Sequence, residues 1–89
     1  MVRKYIVFYG AVQGVGFRYR AMHAADLYGC TGYVQNEDDG TVLMEIQGKE
    51  EQIDHVIAAI EKGAFIRIYD MRTKTIPVIK EESFFRILD

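Results

Sequence analysis

The switch of hydrophobic period across Gly10–Gly16 constrains this chain more than any other feature. Before it, the segment Arg3 to Tyr9 carries Tyr5, Ile6, Val7, Phe8 and Tyr9, apolar on both parities, as a strand in the interior of a sheet would be. After it, Phe17, Ala21, Ala24, Ala25 and Tyr28 fall at helical spacing. Arg18, Arg20, His23 and Asp26 lie mostly off that face, and Gly29 supplies a C-terminal stop. In the stretch Ala11-Val12-Gln13-Gly14-Val15-Gly16, Gly14 and Gly16 permit backbone angles closed to other residues, so no regular element is sustained there. A central strand therefore enters a helix through a glycine-rich loop.

The remaining chain repeats the alternation of strand and helix. Thr31 to Gln35 reads as a short strand, Glu37-Asp38-Asp39-Gly40 as a turn with the Asp-Gly signal, and Val42, Met44 and Ile46 alternate with Leu43, Glu45 and Gln47. Ile53, Val56, Ile57 and Ile60 repeat at the spacing of a second amphipathic helix. Glu50 and Glu51 sit in its first turn, where the dipole favours them, and Gly63 ends it. A fourth strand is expected where Ala64, Ile66 and Ile68 alternate with Phe65, Arg67 and Tyr69. Pro77 then interrupts a loop or edge segment, and Ser83 to Leu88 makes a last strand. The order read from these signals is βαββαβ, an α+β, ferredoxin-like sandwich with two helices on one face of an antiparallel sheet. At 89 residues and 49% hydrophobic content there is room for one core, so a single domain over residues 1–89 is expected.

Charge and cysteine usage narrow the class of function. A net charge of −2 gives no field to hold a nucleic-acid backbone or an anionic membrane, so an anion site has to be local. The single cysteine, Cys30, cannot form an intramolecular disulfide. The chain enters its first strand without a charged-then-apolar leader, and both features favour the reducing cytoplasm. No apolar run approaches the ~20 residues of a membrane-spanning helix, so a soluble protein is expected.

Chemistry is concentrated in Gly10-Ala11-Val12-Gln13-Gly14-Val15-Gly16-Phe17-Arg18. Successive N–H groups of such a loop can converge on an anion, and the helix N-terminus adds its dipole and unpaired donors. From the first helical turn, the planar guanidinium of Arg18 could take two oxygens of a phosphoryl group at once. A Walker loop would need Gly-Lys-Ser/Thr, which does not occur, and a dinucleotide fingerprint begun at Gly14 and Gly16 meets Tyr19 where its third glycine belongs.

This stretch resembles the acylphosphatase signature: a glycine, a variable residue, Val-Gln-Gly-Val, one variable position, an aromatic and an arginine. The family's second signature is similar to Gly32-Tyr33-Val34-Gln35-Asn36, then the turn Glu37-Asp38-Asp39-Gly40, then Thr41-Val42. Two departures stand out. Tyr33 occupies a place where tryptophan is frequent, and the chain closes Phe84-Phe85-Arg86-Ile87-Leu88-Asp89 where a terminal aromatic or basic residue is common. The resemblance implies hydrolysis of the carboxyl–phosphate anhydride of acyl phosphates, with no metal and no cofactor. It implies that the loop N–H groups from Gln13 through Gly14, Val15, Gly16 and Phe17 to Arg18, with the Arg18 side chain, hold the phosphate. It also implies that the Asn36 amide orients the attacking water. An asparagine can accept from the water and donate to an oxygen without placing negative charge beside phosphate. The acidic turn is expected to weaken substrate affinity unless its carboxylates face solvent.

Other residues have structural readings. Cys30 is expected to be a small buried filler, His23 and His55 helix-surface residues, and Ser83 a strand residue without a triad. The acidic turn lacks the ligand pattern of a calcium loop. Two further functions compete. One is a module of the same fold that binds carbamoyl phosphate or another anion without turnover. The other is a single-stranded RNA binder stacking bases on Tyr5, Phe8 and Tyr9, which the acidic balance disfavours. A small-molecule substrate and a monomer are expected.

Overall fold

β1 (Val2–Ala11) lies between two strands, with Ile6 and Phe8 turned into the core and Tyr5, Val7 and Tyr9 on the other parity. In the computed structural model, which describes residues 1–88, it is followed by α1 (Phe17–Tyr28), β2 (Thr31–Asn36), β3 (Val42–Gly48), α2 (Glu50–Glu61), β4 (Arg67–Ile76) and β5 (Phe85–Leu88). The terminal Asp89 lies outside the described residues. The strands form one sheet in the order β4-β1-β3-β2-β5. The side chains of Ile6 and Phe8 on β1, Val34 on β2, and Val42, Met44 and Ile46 on β3 are buried with Phe17, Ala21, Ala24 and Ala25 of α1 and Ile53, Val56 and Ile60 of α2. This cluster is the ferredoxin-like α+β core that the periodicity foretold.

Three expectations are corrected. The observed order is βαββαββ, one strand more than the expected βαββαβ. The sheet is mixed rather than antiparallel, because β5 pairs in parallel with β2, from Gly32 opposite Phe85 to Gln35 opposite Leu88. The fourth strand begins at Arg67 and runs to Ile76, beyond the expected Ala64–Tyr69. Ile66 is buried ahead of the strand, in the turn where its N–H donates to Gly63 O at 3.1 Å, while Ala64 is exposed. β4 is an edge strand with almost every residue exposed, so the burial alternation that betrays a half-buried strand is missing from it.

Reaching β5 from β4 carries the chain from one edge of the sheet to the other. Residues 77–84 cross at the end where β1 begins and β3 ends, and a buried polar network ties them down. Arg3, 1% exposed, donates from Nε to Glu45 Oε1 at 2.9 Å and from Nη1 to Gln47 Oε1 at 3.2 Å. It grips Glu82 with Nη1 at 2.7 Å and Nη2 at 3.2 Å. The Tyr33 hydroxyl donates to the other oxygen of Glu45 at 2.6 Å, and Gln47 exchanges two 2.8 Å bonds with the backbone of Ile79. The opposite end of the sheet, where β1 and β2 finish, is left clear of this strap.

Candidate active site

At that opposite end, β1 shifts register between Tyr9 and Gly10 and releases the chain after Ala11, paired with Arg67. Two apolar anchors then hold the glycine loop. Val12 enters it 1% exposed, and Phe17 leaves it 2% exposed, edge-on to Phe8 with ring centroids 4.9 Å apart. Between the anchors the backbone turns through left-handed angles at Gly14 (φ 72°) and Gly16 (φ 80°). No atom would lie within 4 Å of a Cβ at either position, so it is the backbone angle, not crowding, that favours glycine.

Gly16 is the N-cap of α1, and the first helical bond runs from Arg20 N–H to Gly16 O at 3.1 Å. No side chain caps this terminus and its first turn holds no acidic residue, so no carboxylate of its own offsets the positive end of the dipole. Asn36, the last residue of β2, stands opposite Val42 of β3 and brings its amide to the same place.

Together these elements enclose a cavity of about 130 Å³, lined by Val12, Gly14, Gly16, Phe17, Arg18, Tyr19 and Asn36. That is well below the ~300–1,000 Å³ of ordinary ligand pockets and suits a small anionic head group. Larger concavities occur on the sheet face beside Tyr5, Val7 and Tyr9 (about 270 Å³) and along Ile79–Arg86 (about 450 Å³). Both are shallower, and neither is lined by a residue of the loop. Asn36 Oδ1 has the one property that singles out a side chain here. Among the described residues it is the only buried side-chain polar atom without a hydrogen-bond partner. An orphaned acceptor costs about 1–3 kcal/mol, a cost that residues retained for function commonly carry.

Of the residues singled out by sequence, Gly14, Gly16, Phe17, Arg18 and Asn36 are thus brought together. The side chains of Gln13 and Val15 turn elsewhere, Gln13 to the β2–β3 turn and Val15 against the core. Tyr19 was missed. It is 63% exposed, immediately after Arg18, and the available signal was a large aromatic lying off the apolar helix stripe.

The acidic turn does not line the cavity. Asp38 and Asp39 are exposed, and the Asp39 carboxylate accepts from Thr41 N–H at 3.0 Å and Thr41 Oγ1 at 2.6 Å, which holds its pKa below the usual value. Glu37 accepts from Gln35 Nε2 at 3.0 Å. None of these carboxylates lines the pocket, and those of Glu37 and Asp39 are held by neighbouring residues of the hairpin.

The other candidates fall where their structural readings put them. Cys30 is buried and its thiol is pushed up to about 11 by that burial, far from a thiolate at neutral pH. His23 and His55 are exposed on their helices, His55 stacked on Tyr28 at 5.1 Å. Among the described residues no three His, Cys, Asp or Glu side chains converge as metal ligands, and no helix is long and apolar enough to cross a membrane. Phe8, named as an RNA-stacking aromatic, is fully buried because its parity faces the helices. Tyr5 and Tyr9 carry Lys74 and Arg72 against their rings at 4.8 and 5.5 Å.

Fold and site together define a small ferredoxin-like domain with a small pocket between a helix-entry loop and a hairpin end. The chain belongs to the acylphosphatase family, whose model matches residues 4–87. It is 41% identical over 90 residues to the acylphosphatase of Clostridium acetobutylicum, covering 99% of each chain. Its structure superposes on crystalline Bacillus subtilis acylphosphatase with a TM-score of 0.90, at 31% identity and complete coverage of both chains. It also matches the structure of T. kodakarensis HypF, with a TM-score of 0.84 and 31% identity, over 100% of this chain and 12% of that one. The chain is accordingly an acyl-phosphate hydrolase.

Proposed function

We propose that the pocket binds the phosphoryl group of an acyl phosphate and directs water onto its phosphorus. The observation that carries this reading is the convergence of Arg18, the uncapped start of α1 and the unpartnered Oδ1 of Asn36 on one phosphate-sized cavity. The N–H groups of the loop and of the first helical turn, with the Arg18 guanidinium, hold the phosphoryl oxygens and stabilise the charge that builds on them in the transition state. Asn36 Oδ1 accepts a hydrogen bond from the attacking water. A bond forms from the water oxygen to phosphorus while the bond from phosphorus to the bridging oxygen breaks. The carboxylate leaves with that electron pair and needs no proton, and the water's proton passes to a phosphoryl oxygen. An anhydride with so good a leaving group requires positioning and charge stabilisation rather than a strong base or a covalent nucleophile.

The cavity encloses little beyond a phosphoryl group, so the acyl portion lies across the mouth, against the exposed ring of Tyr19. Tolerance of many acyl groups, with a preference for aromatic ones, follows from that arrangement.

The test is phosphate release from benzoyl phosphate in EDTA by the parent protein, Arg18→Ala and Asn36→Ala, each shown to be folded by circular dichroism. Turnover in the parent and its loss in both variants is expected. A parent that binds inorganic phosphate without hydrolysing the anhydride would favour a binding module, in keeping with the likeness to a segment of HypF. Full activity in either variant removes that residue from its role.

A further inference from the structure

The side chain of Gln13 spans the two halves of the pocket without entering it. Its Nε2 donates to Glu37 O at 2.7 Å and to Thr41 O at 2.9 Å, across 24 and 28 residues of sequence. Glu37 directly follows Asn36, and Thr41 directly precedes Val42, the residue opposite Asn36 in the β2–β3 ladder. One NH₂ group therefore uses both hydrogens to tie the phosphate loop to the two ends of the turn that follows Asn36.

The turn is otherwise built from its own residues. Glu37 N–H donates to Thr41 O at 2.9 Å, Gly40 N–H to Glu37 O at 3.2 Å, and Asp39 accepts from Thr41. These bonds shape the turn but do not place it against the loop. Gln13 sits between Val12, buried in the core, and Gly14, which lines the cavity, so its backbone position is set by the loop that forms the phosphate site.

We infer that Gln13 is a positioning residue whose side chain sets the distance between the phosphate-holding loop and Asn36, that side chain acting through Asn36 rather than by touching phosphate. This rests on the reading of Asn36 as the water-orienting group. Near-attack geometry is lost over about 1 Å, at a cost of roughly a hundredfold in rate. A phosphate held by Arg18 and the loop N–H groups needs no such tether. Loss of the Gln13 amide should thus lower kcat and leave phosphate binding in place.

The experiment is a double-mutant cycle with benzoyl phosphate as substrate and inorganic phosphate as competitive inhibitor. Gln13→Met keeps the length of the side chain and removes its donors. Gln13→Leu, also without a donor and likewise uncharged, serves if the methionine variant does not fold. The expected result is a kcat lower by about ten- to a hundredfold, with KM and the phosphate inhibition constant within about twofold of the parent. In an Asn36→Ala background the same substitution should change kcat less than about twofold, because the group it positions is gone. Equal losses in both backgrounds, a weakened inhibition constant, or an unchanged kcat would overturn the inference. Full activity of Asn36→Ala, measured with Gln13 intact, would overturn the reading on which it rests and the inference with it. The two failures are therefore distinguishable.

Discussion

Replacing the buried Arg3 by methionine should cost the fold about 3 kcal/mol, although Arg3 lies at the far end of the sheet from the pocket. The guanidinium is 1% exposed and satisfies Glu45, Gln47 and Glu82 at 2.7–3.2 Å, while the two carboxylates keep only 17% and 12% of their side-chain exposure. Methionine fills the stem of the arginine but leaves both carboxylates without their cation. Removing one partner of a buried pair costs about 3–5 kcal/mol, and the lower end applies because both carboxylates retain some water. For a domain of this size about 3 kcal/mol is a fall in Tm of roughly 12–24 °C.

The deficit should depend on pH with a definite sign. Burial alone would raise the Glu82 carboxyl, but the hydrogen bonds from Arg3 and Thr31 and the charges of Arg3 and Arg86 outweigh it and hold the pKa below the ordinary glutamate value. Stability from this group is therefore present above the unfolded-state pKa and lost as pH falls through the folded one. In Arg3→Met, Glu82 keeps Thr31 and Arg86 but loses the guanidinium that holds both its oxygens, so its protonation costs the folded state less than in the parent. Urea denaturation at pH 7 and at pH 4 should show the gap between parent and variant narrowing in acid. A Tm shift under about 4 °C at pH 7, or a gap that widens in acid, would refute the role given to this network.

Further outcomes follow from the same geometry. Gly16→Ala places a Cβ in open space but at φ 80°, so it should cost about 1–2 kcal/mol of stability in urea and reduce turnover by disturbing the start of α1. Cys30, buried with its thiol pushed up to about 11, should react with Ellman's reagent in the folded protein far more slowly than in urea; burst labelling of the native state would contradict its placement. Tyr19→Ala should reduce the ratio of kcat/KM for benzoyl over acetyl phosphate by roughly two- to tenfold, an unchanged ratio placing the acyl group elsewhere.

What could be read in the sequence was local. Phe17, Ala21, Ala24 and Ala25 share a helical stripe, and all four are buried. The Asp-Gly turn closes the β2–β3 hairpin between Asn36 and Val42, as its chemistry dictates. The loop and Asn36 were both named because each sits in a compact motif. The features that escaped depend on distance along the chain or on what covers a strand. Arg3 opens the first strand's pattern, and its partner Glu82 stands 79 residues away, so no window reveals a buried charge. The parallel pairing of β5 depends on the chain crossing the sheet, for which Pro77 and Ser83 give no direction. β4 gives no burial alternation because almost all of its residues are exposed. Gln13 was placed in the phosphate loop, but the direction of its side chain follows from a hairpin 24 residues on.

The division of labour between Arg18 and Asn36 is the centre of the account, and the most direct measurement is the steady-state kinetics of Arg18→Ala and Asn36→Ala with inhibition by inorganic phosphate. Arg18→Ala should weaken phosphate inhibition and lower kcat/KM by about 10²–10³, as loss of a charge-stabilising donor does. Asn36→Ala should lower kcat by a similar factor while the phosphate inhibition constant stays within about twofold. An Asn36 variant that loses phosphate binding while keeping kcat, or an Arg18 variant that binds phosphate as the parent does, would contradict it.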